Sequence, residues 1–84
     1  MTLVFARNAW ADYQYWLESD LKVLSRINAL IRECQRSPFT GTGKPEALRH
    51  ALSGYWSRRI THEHRMVYRI VDDQLWIVQL RYHY

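Results

Sequence analysis

Arg65-Met66-Val67-Tyr68-Arg69-Ile70-Val71, then Asp72-Asp73, then Gln74-Leu75-Trp76-Ile77-Val78-Gln79-Leu80-Arg81-Tyr82, is the stretch that decides the fold class. Both flanking runs are rich in β-branched and aromatic residues, and the acidic pair between them reads as a turn, so the segment is predicted to be a β-hairpin. Upstream, Ser53-Gly54 punctuates the chain, and Tyr55 to His62 reads as a further strand. Residues 38–45 hold both prolines and two of the three glycines and read as a flexible linking loop. Glu46 to His50, with Pro45 near its start, reads as one helical turn. N-terminal to the loop the apolar period lengthens. Leu24, Ile27, Leu30, Ile31 and Cys34 make one helical stripe, with Lys22, Arg26, Arg32 and Gln35 covering the rest. Asp20 is placed to cap that helix, and Ser37-Pro38 ends it. A preceding helix carries Trp10, Tyr13 and Leu17 at helical spacing, with Asn8 as its candidate N-cap. Thr2 to Ala6 reads as a short buried strand. The order is N-terminal strand, two-helix hairpin, then an antiparallel β-sheet meander, which predicts an α+β fold with the helices packed on one face of the sheet.

Eighty-four residues suffice for one small domain, residues 1–84, with one modest core. A hydrophobic content of 48% with 14% aromatic residues excludes disorder as the default. No apolar run is long enough to span a bilayer, and the N-terminus lacks the basic lead of a signal peptide, so a cytoplasmic protein with no membrane partner is expected. Cys34 is the single cysteine, so no internal disulfide forms, and its place on the apolar stripe marks it as core.

The formal net charge of +4 favours a polyanionic partner. Residues 49–84 carry six arginines and no lysine against three acidic residues, and all four histidines lie there. Arginine's planar fork suits phosphate. Along the predicted strands Ser57, Arg59 and Thr61 share a face, Arg65 and Arg69 share a face with Val67, and Arg81 and His83 share a face near the C-terminus. An ordinary solvated sheet face is the plainer reading of the same pattern.

His62-Glu63-His64 puts two histidines on one side of a strand, but no cysteine or further histidine has zinc spacing, so no metal is expected. Gly41-Thr42-Gly43-Lys44-Pro45 lacks the spacing of a phosphate-binding loop, and Pro45 replaces the needed Ser/Thr. What remains is Glu46, Arg65, His83 and Tyr84, with Arg59 beside them in pattern. Cleavage of RNA by its own 2′-hydroxyl needs a base for the 2′-proton, a cation for the phosphorane and an acid for the leaving 5′-oxygen. Histidine, with a reference pKa of about 6.5, serves as acid or base near neutrality, glutamate can be the base, and arginine can be the clamp. Tyrosine can stack on a base or position the phosphate. Plainer roles fit too: Glu46 at a helix N-terminus, Arg65 on an exposed strand, and His83 and Tyr84 in a frayed tail.

The chain resembles the YoeB branch of the RelE-type bacterial toxins. The resemblance runs along essentially the whole length. It is carried by Trp10 with Asp12-Tyr13 and Tyr15-Trp16, by Pro38-Phe39, by Gly43-Lys44-Pro45-Glu46, by Leu52-Ser53-Gly54, by Trp56-Ser57-Arg58-Arg59-Ile60, by Glu63-His64-Arg65 and by Arg81-Tyr82-His83-Tyr84. It implies the RelE-like fold and a ribosome-dependent endoribonuclease that enters the decoding site of the small subunit and cuts messenger RNA there, without a cofactor. Residue by residue, it implies Glu46 as general base, Arg65 as the cation at the scissile phosphate, His83 as general acid and Tyr84 as the closing tyrosine needed for activity. Arg59 matches a basic residue near the phosphate, Lys44 a residue facing RNA, and Arg49 stands where the family often has lysine. Implied partners are a cognate YefM-like antitoxin, a second copy of the chain in a homodimer, and operator DNA bound only by the toxin–antitoxin complex. Trp10 and Trp16 are expected in the core or at the dimer contact. The competing expectations are a gyrase poison of the same general fold, which lacks the acid/base set, and a basic module that only binds RNA.

Overall fold

The computed structural model describes residues 1–83. Strand β1 (Thr2–Phe5) leads into helix α1 (Arg7–Ser19) and helix α2 (Leu21–Arg36). A long loop then reaches β2 (Glu46–Ala47), a short 3-10 turn (His50–Leu52), β3 (Trp56–Arg59), β4 (Arg65–Val71) and β5 (Gln74–Gln79). The five strands form one sheet in the order β1-β5-β4-β3-β2. Strands β3 to β5 pair antiparallel as expected and β2 adds antiparallel to β3, but β1 joins β5 in parallel, with Leu3 beside Leu75 and Phe5 beside Ile77, so the sheet is mixed. A parallel pair needs a long crossover, and the helical hairpin with the rest of the meander supplies it.

The helices cover one face. Ala9 and Trp16 from α1 and Leu24, Ile27, Leu30, Ile31 and Cys34 from α2 pack on Met66, Tyr68, Leu75, Ile77 and Leu80. The stripe predicted for α2 is therefore the buried face. On α1 the buried face is rotated from the one expected: Trp16 is buried, whereas Trp10 and Leu17 are about half exposed. Polar anchoring sets that rotation. Trp16 Nε1 donates to the Leu80 carbonyl at 2.9 Å, and Asp12 Oδ2 accepts from the Leu80 N–H at 3.0 Å. Tyr13 OH donates to Asn28 Oδ1 and ties the two helices together.

Several boundaries differ from the sequence reading. α1 begins two residues earlier than Asn8 suggests, with Ala6 at the N-cap and no side-chain cap. Residues 46–50 are not a helical turn. Glu46 and Ala47 add a strand against Ser57 and Trp56 instead, because one isolated turn cannot nucleate a helix while the free edge of β3 offers a ladder. β3 stops at Arg59, short of His62, where Thr61 Oγ1 accepts the N–H groups of Glu63 and His64 and turns the chain. β5 stops at Gln79, short of Tyr82, after a register shift in which Val67 faces Gln79 and Tyr68 faces Ile77, leaving Val78 as the extra residue of a bulge.

Opposite the helices, the other sheet face carries three cross-strand rows. Glu46, Ser57, Val67 and Gln79 stand in one, Arg59 and Arg65 in the next toward the β3–β4 turn, and Arg69 and Trp76 in the third toward the β4–β5 turn. The period-two reading puts Arg65 and Arg69 on one face and Arg59 on one face of its own strand, and the β3–β4 register joins the two.

Asp20 caps α2 as expected, its Oδ1 accepting from the N–H groups of Lys22 and Val23. Asp20→Ala should cost about 1 kcal/mol of stability, read as a lowered urea midpoint with an unchanged slope.

Candidate active site

The loop between α2 and β2 is held by one side chain. Arg58 on β3 points to the helix side and has no exposed surface. Its Nη1 meets Glu33 Oε2 at 2.9 Å and donates to the Thr42 carbonyl at 3.1 Å. Its Nη2 donates to the carbonyls of Ser37 and Thr40, and its Nε to the hydroxyl of Tyr68, which in turn donates to the Pro38 carbonyl. Glu33 also accepts from the Thr42 N–H and hydroxyl. Residues 37–42 are thus wrapped around a guanidinium, and the expectation of a flexible linker is corrected. Gly43 completes the fastening. At φ +86° it lets its carbonyl accept from the Arg59 N–H at 2.7 Å, and a Cβ there would lie 3.1 Å from the Arg59 carbonyl oxygen. Lys44 and Glu46 follow directly, so Arg58 sets where they stand beside Arg59 and Ser57.

The electrostatics of the clamp are consistent with its geometry. Partial burial raises the pKa of the Glu33 carboxyl, but the Thr42 hydrogen bonds and Arg58 outweigh it, and the net shift is below the ordinary 4.5. Burial pushes the Tyr68 hydroxyl up to about 12, which keeps it a neutral donor. Burial also raises the Cys34 thiol, in keeping with an inert core position.

The second half of the site is the β3–β4 turn and the segment after β5. Arg65 Nη1 donates to the carbonyls of Thr61, His62 and His64 at 2.8, 3.0 and 3.1 Å. Among the described residues nothing hydrogen-bonds its Nε or Nη2. His83 Nε2 stands 3.4 Å from the same His62 oxygen. The two cationic-capable nitrogens therefore converge on one atom. The segment that delivers His83 is not a strand, because Tyr82 has φ +60° and breaks the alternation. It is pinned by other means. The Tyr82 carbonyl accepts from the Arg65 N–H, the Tyr82 N–H donates to His64 Nδ1 at 2.7 Å, and Gln79 Nε2 reaches the carbonyls of Arg81, Tyr82 and His83.

Of the residues singled out in the sequence, Arg59, Arg65 and His83 meet at the end of the sheet where β3 turns into β4. Glu46 lies on the same face, one row along and two strands from Arg65, a backbone separation of roughly 12 Å from ideal strand spacings. Long side chains can close that span around a phosphodiester. Lys44 has φ +52° and sits on the loop beside Arg59, while Arg49 is exposed just before the 3-10 turn. Arg81 does not join them. Its guanidinium lies over the Tyr15 ring at 3.6 Å and over the Tyr82 ring at 4.8 Å, so it anchors the tail to α1 and does not share a phosphate face with His83. Tyr84 lies outside the described residues. Among the described residues no cluster of His, Cys, Asp or Glu could hold a metal ion.

Three positioning groups escaped the sequence reading: Arg58, His64 and Gln79. Arg58 carries a usable signal, since it stands at period two between Trp56 and Ile60 and so belongs to the buried face. His64 and Gln79 act on backbone atoms of a segment distant in sequence, and no local pattern marks that.

Comparison with known proteins gives a consistent result. The family described as the YoeB-like toxin of bacterial type II toxin–antitoxin systems matches residues 5–84. Toxin YoeB of Escherichia coli K12 is 54% identical over 84 residues, all of both chains. A YoeB/ParE toxin from Agrobacterium tumefaciens superposes with a TM-score of 0.98 at 48% identity over all of both chains. The toxin in a heterotetrameric YoeB–YefM toxin–antitoxin complex from Staphylococcus aureus superposes with a TM-score of 0.92 at 41% identity, covering 100% of this chain and 98% of that one.

The clamp makes two outcomes expected. Arg58→Ala removes a buried partner from three carbonyls and a carboxylate, and should cost about 3 kcal/mol, the low end for a broken buried pair because Glu33 keeps some solvent. Urea unfolding measures it. Because the Glu33 pKa is lowered on folding, its contribution is present at and above the unfolded value of 4.5 and is lost as pH falls through the folded value. The urea midpoint of Glu33→Gln should accordingly fall less than that of the parent between pH 7 and pH 3.

Proposed function

Because the chain belongs to the YoeB-like toxins of bacterial type II toxin–antitoxin systems, we propose that it is a ribosome-dependent endoribonuclease that cuts messenger RNA in the decoding site and so stops translation. The observation that carries this reading is the convergence of Arg65 and His83 on the His62 carbonyl, on the face that also bears Arg59 and Glu46.

The reaction is an attack of the 2′-hydroxyl on the adjacent phosphorus. Glu46, as carboxylate, takes the 2′-proton. Arg65, with Arg59 in the same row, faces the equatorial oxygens of the phosphorane with guanidinium donors that need no reorganisation. His83, as imidazolium, gives its proton to the leaving 5′-oxygen. The products are a 2′,3′-cyclic phosphate and a 5′-hydroxyl end, and solvent restores both protonation states. The three carbonyls that hold Arg65 fix its fork, and the hydrogen bonds around Tyr82 fix the approach of His83. Tyr84 is assigned to stacking on or orienting the bound nucleotide. Lys44 and Arg49 are assigned to the RNA backbone, where a net charge of +4 favours encounter with the ribosome.

The same reading assigns partners. A YefM-like antitoxin binds this chain, a reading supported by the YoeB–YefM complex of Staphylococcus aureus, and an acidic segment of it covers the basic face. Operator DNA is bound only by the complex. Two copies of the chain pair through the cleft where Phe5, Trp10 and Tyr13 pack together, with Trp10 stacked on Tyr13 and 48% exposed.

Primer extension on a defined messenger in a reconstituted translation system tests the proposal. Cleavage should require ribosomes, and His83→Gln should lower the single-turnover rate by about 10²–10⁴-fold without unfolding the protein. Glu46→Gln should slow the same step strongly, and Arg65→Ala should lower the rate at saturation more than it weakens ribosome binding. No cut from folded wild-type protein would sink the enzymatic reading in favour of a binder or a gyrase poison, which a DNA-break assay then separates.

A further inference from the structure

One row of the open sheet face takes no part in the chemistry above. Arg69 on β4 stands directly opposite Trp76 on β5, and Tyr55, which immediately precedes β3, borders Arg69 on the other side. The Arg69 guanidinium carbon lies 5.1 Å from the centre of the Tyr55 ring, and its Nη1 reaches the Tyr55 hydroxyl at 3.5 Å. Trp76 is held in turn by its Nε1 donating to Gln74 Oε1 at 2.9 Å. A cleft of about 420 Å³ opens here, lined by Ala6, Tyr55, Arg69, Val71, Trp76 and Val78. That is within the range of ligand-binding clefts. Among the described residues no acidic side chain lines it.

Two aromatic rings flanking an arginine, on the same sheet face as Arg59 and Arg65 and one row removed from them, are what a single-stranded nucleic acid uses: bases stack on aromatic faces and on guanidinium planes, and the arginines meet the backbone. A sheet face covered by another protein's apolar side would have no use for the exposed charge of Arg69. Arg69 is four residues along β4 from Arg65, roughly 13 Å at strand spacing. It is therefore too far to touch the reacting phosphate and well placed for a neighbouring nucleotide.

We propose that Tyr55, Arg69 and Trp76 form a stacking subsite for a base of the RNA strand that flanks the nucleotide being cut. The assignment rests on the endoribonuclease reading given above. Arg69 and Trp76 are specificity residues in this scheme, and the subsite selects a base by stacking strength more than by its hydrogen-bonding edge.

The experiment uses ribosomes programmed with a defined messenger, either intact or carrying an abasic nucleotide at one flanking position at a time. Wild type, Arg69→Gln and Trp76→Leu are compared, with thermal unfolding of each recorded alongside. On intact messenger, both variants should need about tenfold more protein for half-maximal cleavage, with the rate at saturation little changed. On one of the abasic messengers the wild type should fall to the level of the variants, and the variants should lose nothing further. Equal losses on intact and abasic messengers would overturn the subsite and leave these side chains a role in folding or ribosome docking. So would full cleavage by both folded variants, even if they bound an acidic antitoxin peptide more weakly, because the surface would then belong to a protein partner. A wild-type protein that cuts no messenger removes the functional reading and this one with it, whereas a cutting wild type with indifferent variants removes this one alone.

Discussion

The guanidinium of Arg58 is buried in the layer between sheet and helices, and the geometry of the open face depends on it. A charge taken out of water is costly unless its donors are matched. Here they are matched by one carboxylate, three backbone carbonyls and a tyrosine hydroxyl. Those acceptors come from α2, from the loop after it and from β4, so satisfying one side chain requires all three elements to be in place at once. The loop is too short of apolar residues to dock by burial alone. It is positioned instead by polar complementarity, which is directional and so fixes Lys44 and Glu46 more sharply than hydrophobic contact would.

The other end of the site solves a different problem. His83 lies near the end of the chain, where backbone order is ordinarily weakest. The preceding segment has left the sheet and gains no ladder hydrogen bonds. Its carbonyls and N–H groups are taken up by Gln79, His64 and the Arg65 backbone, while Asp12 and Trp16 hold Leu80 from the helix side. Arg81, stacked on Tyr15, adds an anchor to α1. The bulge at Val78 is the local device that ends the strand and sends the chain toward the β3–β4 turn. Arg65 and His83 are thus neighbours because one turn presents the His62 carbonyl to both.

The two faces of the sheet divide the labour. Met66, Tyr68, Leu75 and Ile77 supply the core under the helices, and the alternate residues supply a basic surface with an aromatic end. On the proposed reading, a polyanionic strand lies across β3, β4 and β5, with phosphate handled at one end and a base at the other. Within the YoeB-like family, this chain's Tyr55, Arg69 and Trp76 would then tune which messengers it handles best, while Glu46, Arg65 and His83 would carry the reaction.

Much of this was legible in the sequence. The stripe from Leu24 to Cys34 is buried because a helical period of apolar residues has only one way to leave water. Arg65–Val71 and Gln74–Gln79 form the central hairpin because β-branched residues flank a turn. Arg65 and Arg69 share a face with Val67 because strands alternate, and the β3–β4 register brings Arg59 onto it. Glu46 and His83 are singled out by their chemistry and by the family resemblance, and their roles belong to the proposal. What tertiary structure alone decided are the features whose partners are remote in the chain: β1 pairing in parallel with β5, residues 46–47 becoming an edge strand when local cues pointed to a helical turn, Trp16 and not Trp10 facing the core, and Arg58 serving the fold although its neighbour Arg59 faces solvent. Local propensity determines an element when the competing conformation lacks a partner. Where a free strand edge, a part-buried carboxylate or an orphan carbonyl waits elsewhere in the fold, the long-range hydrogen bond outweighs the small local preference and settles the outcome.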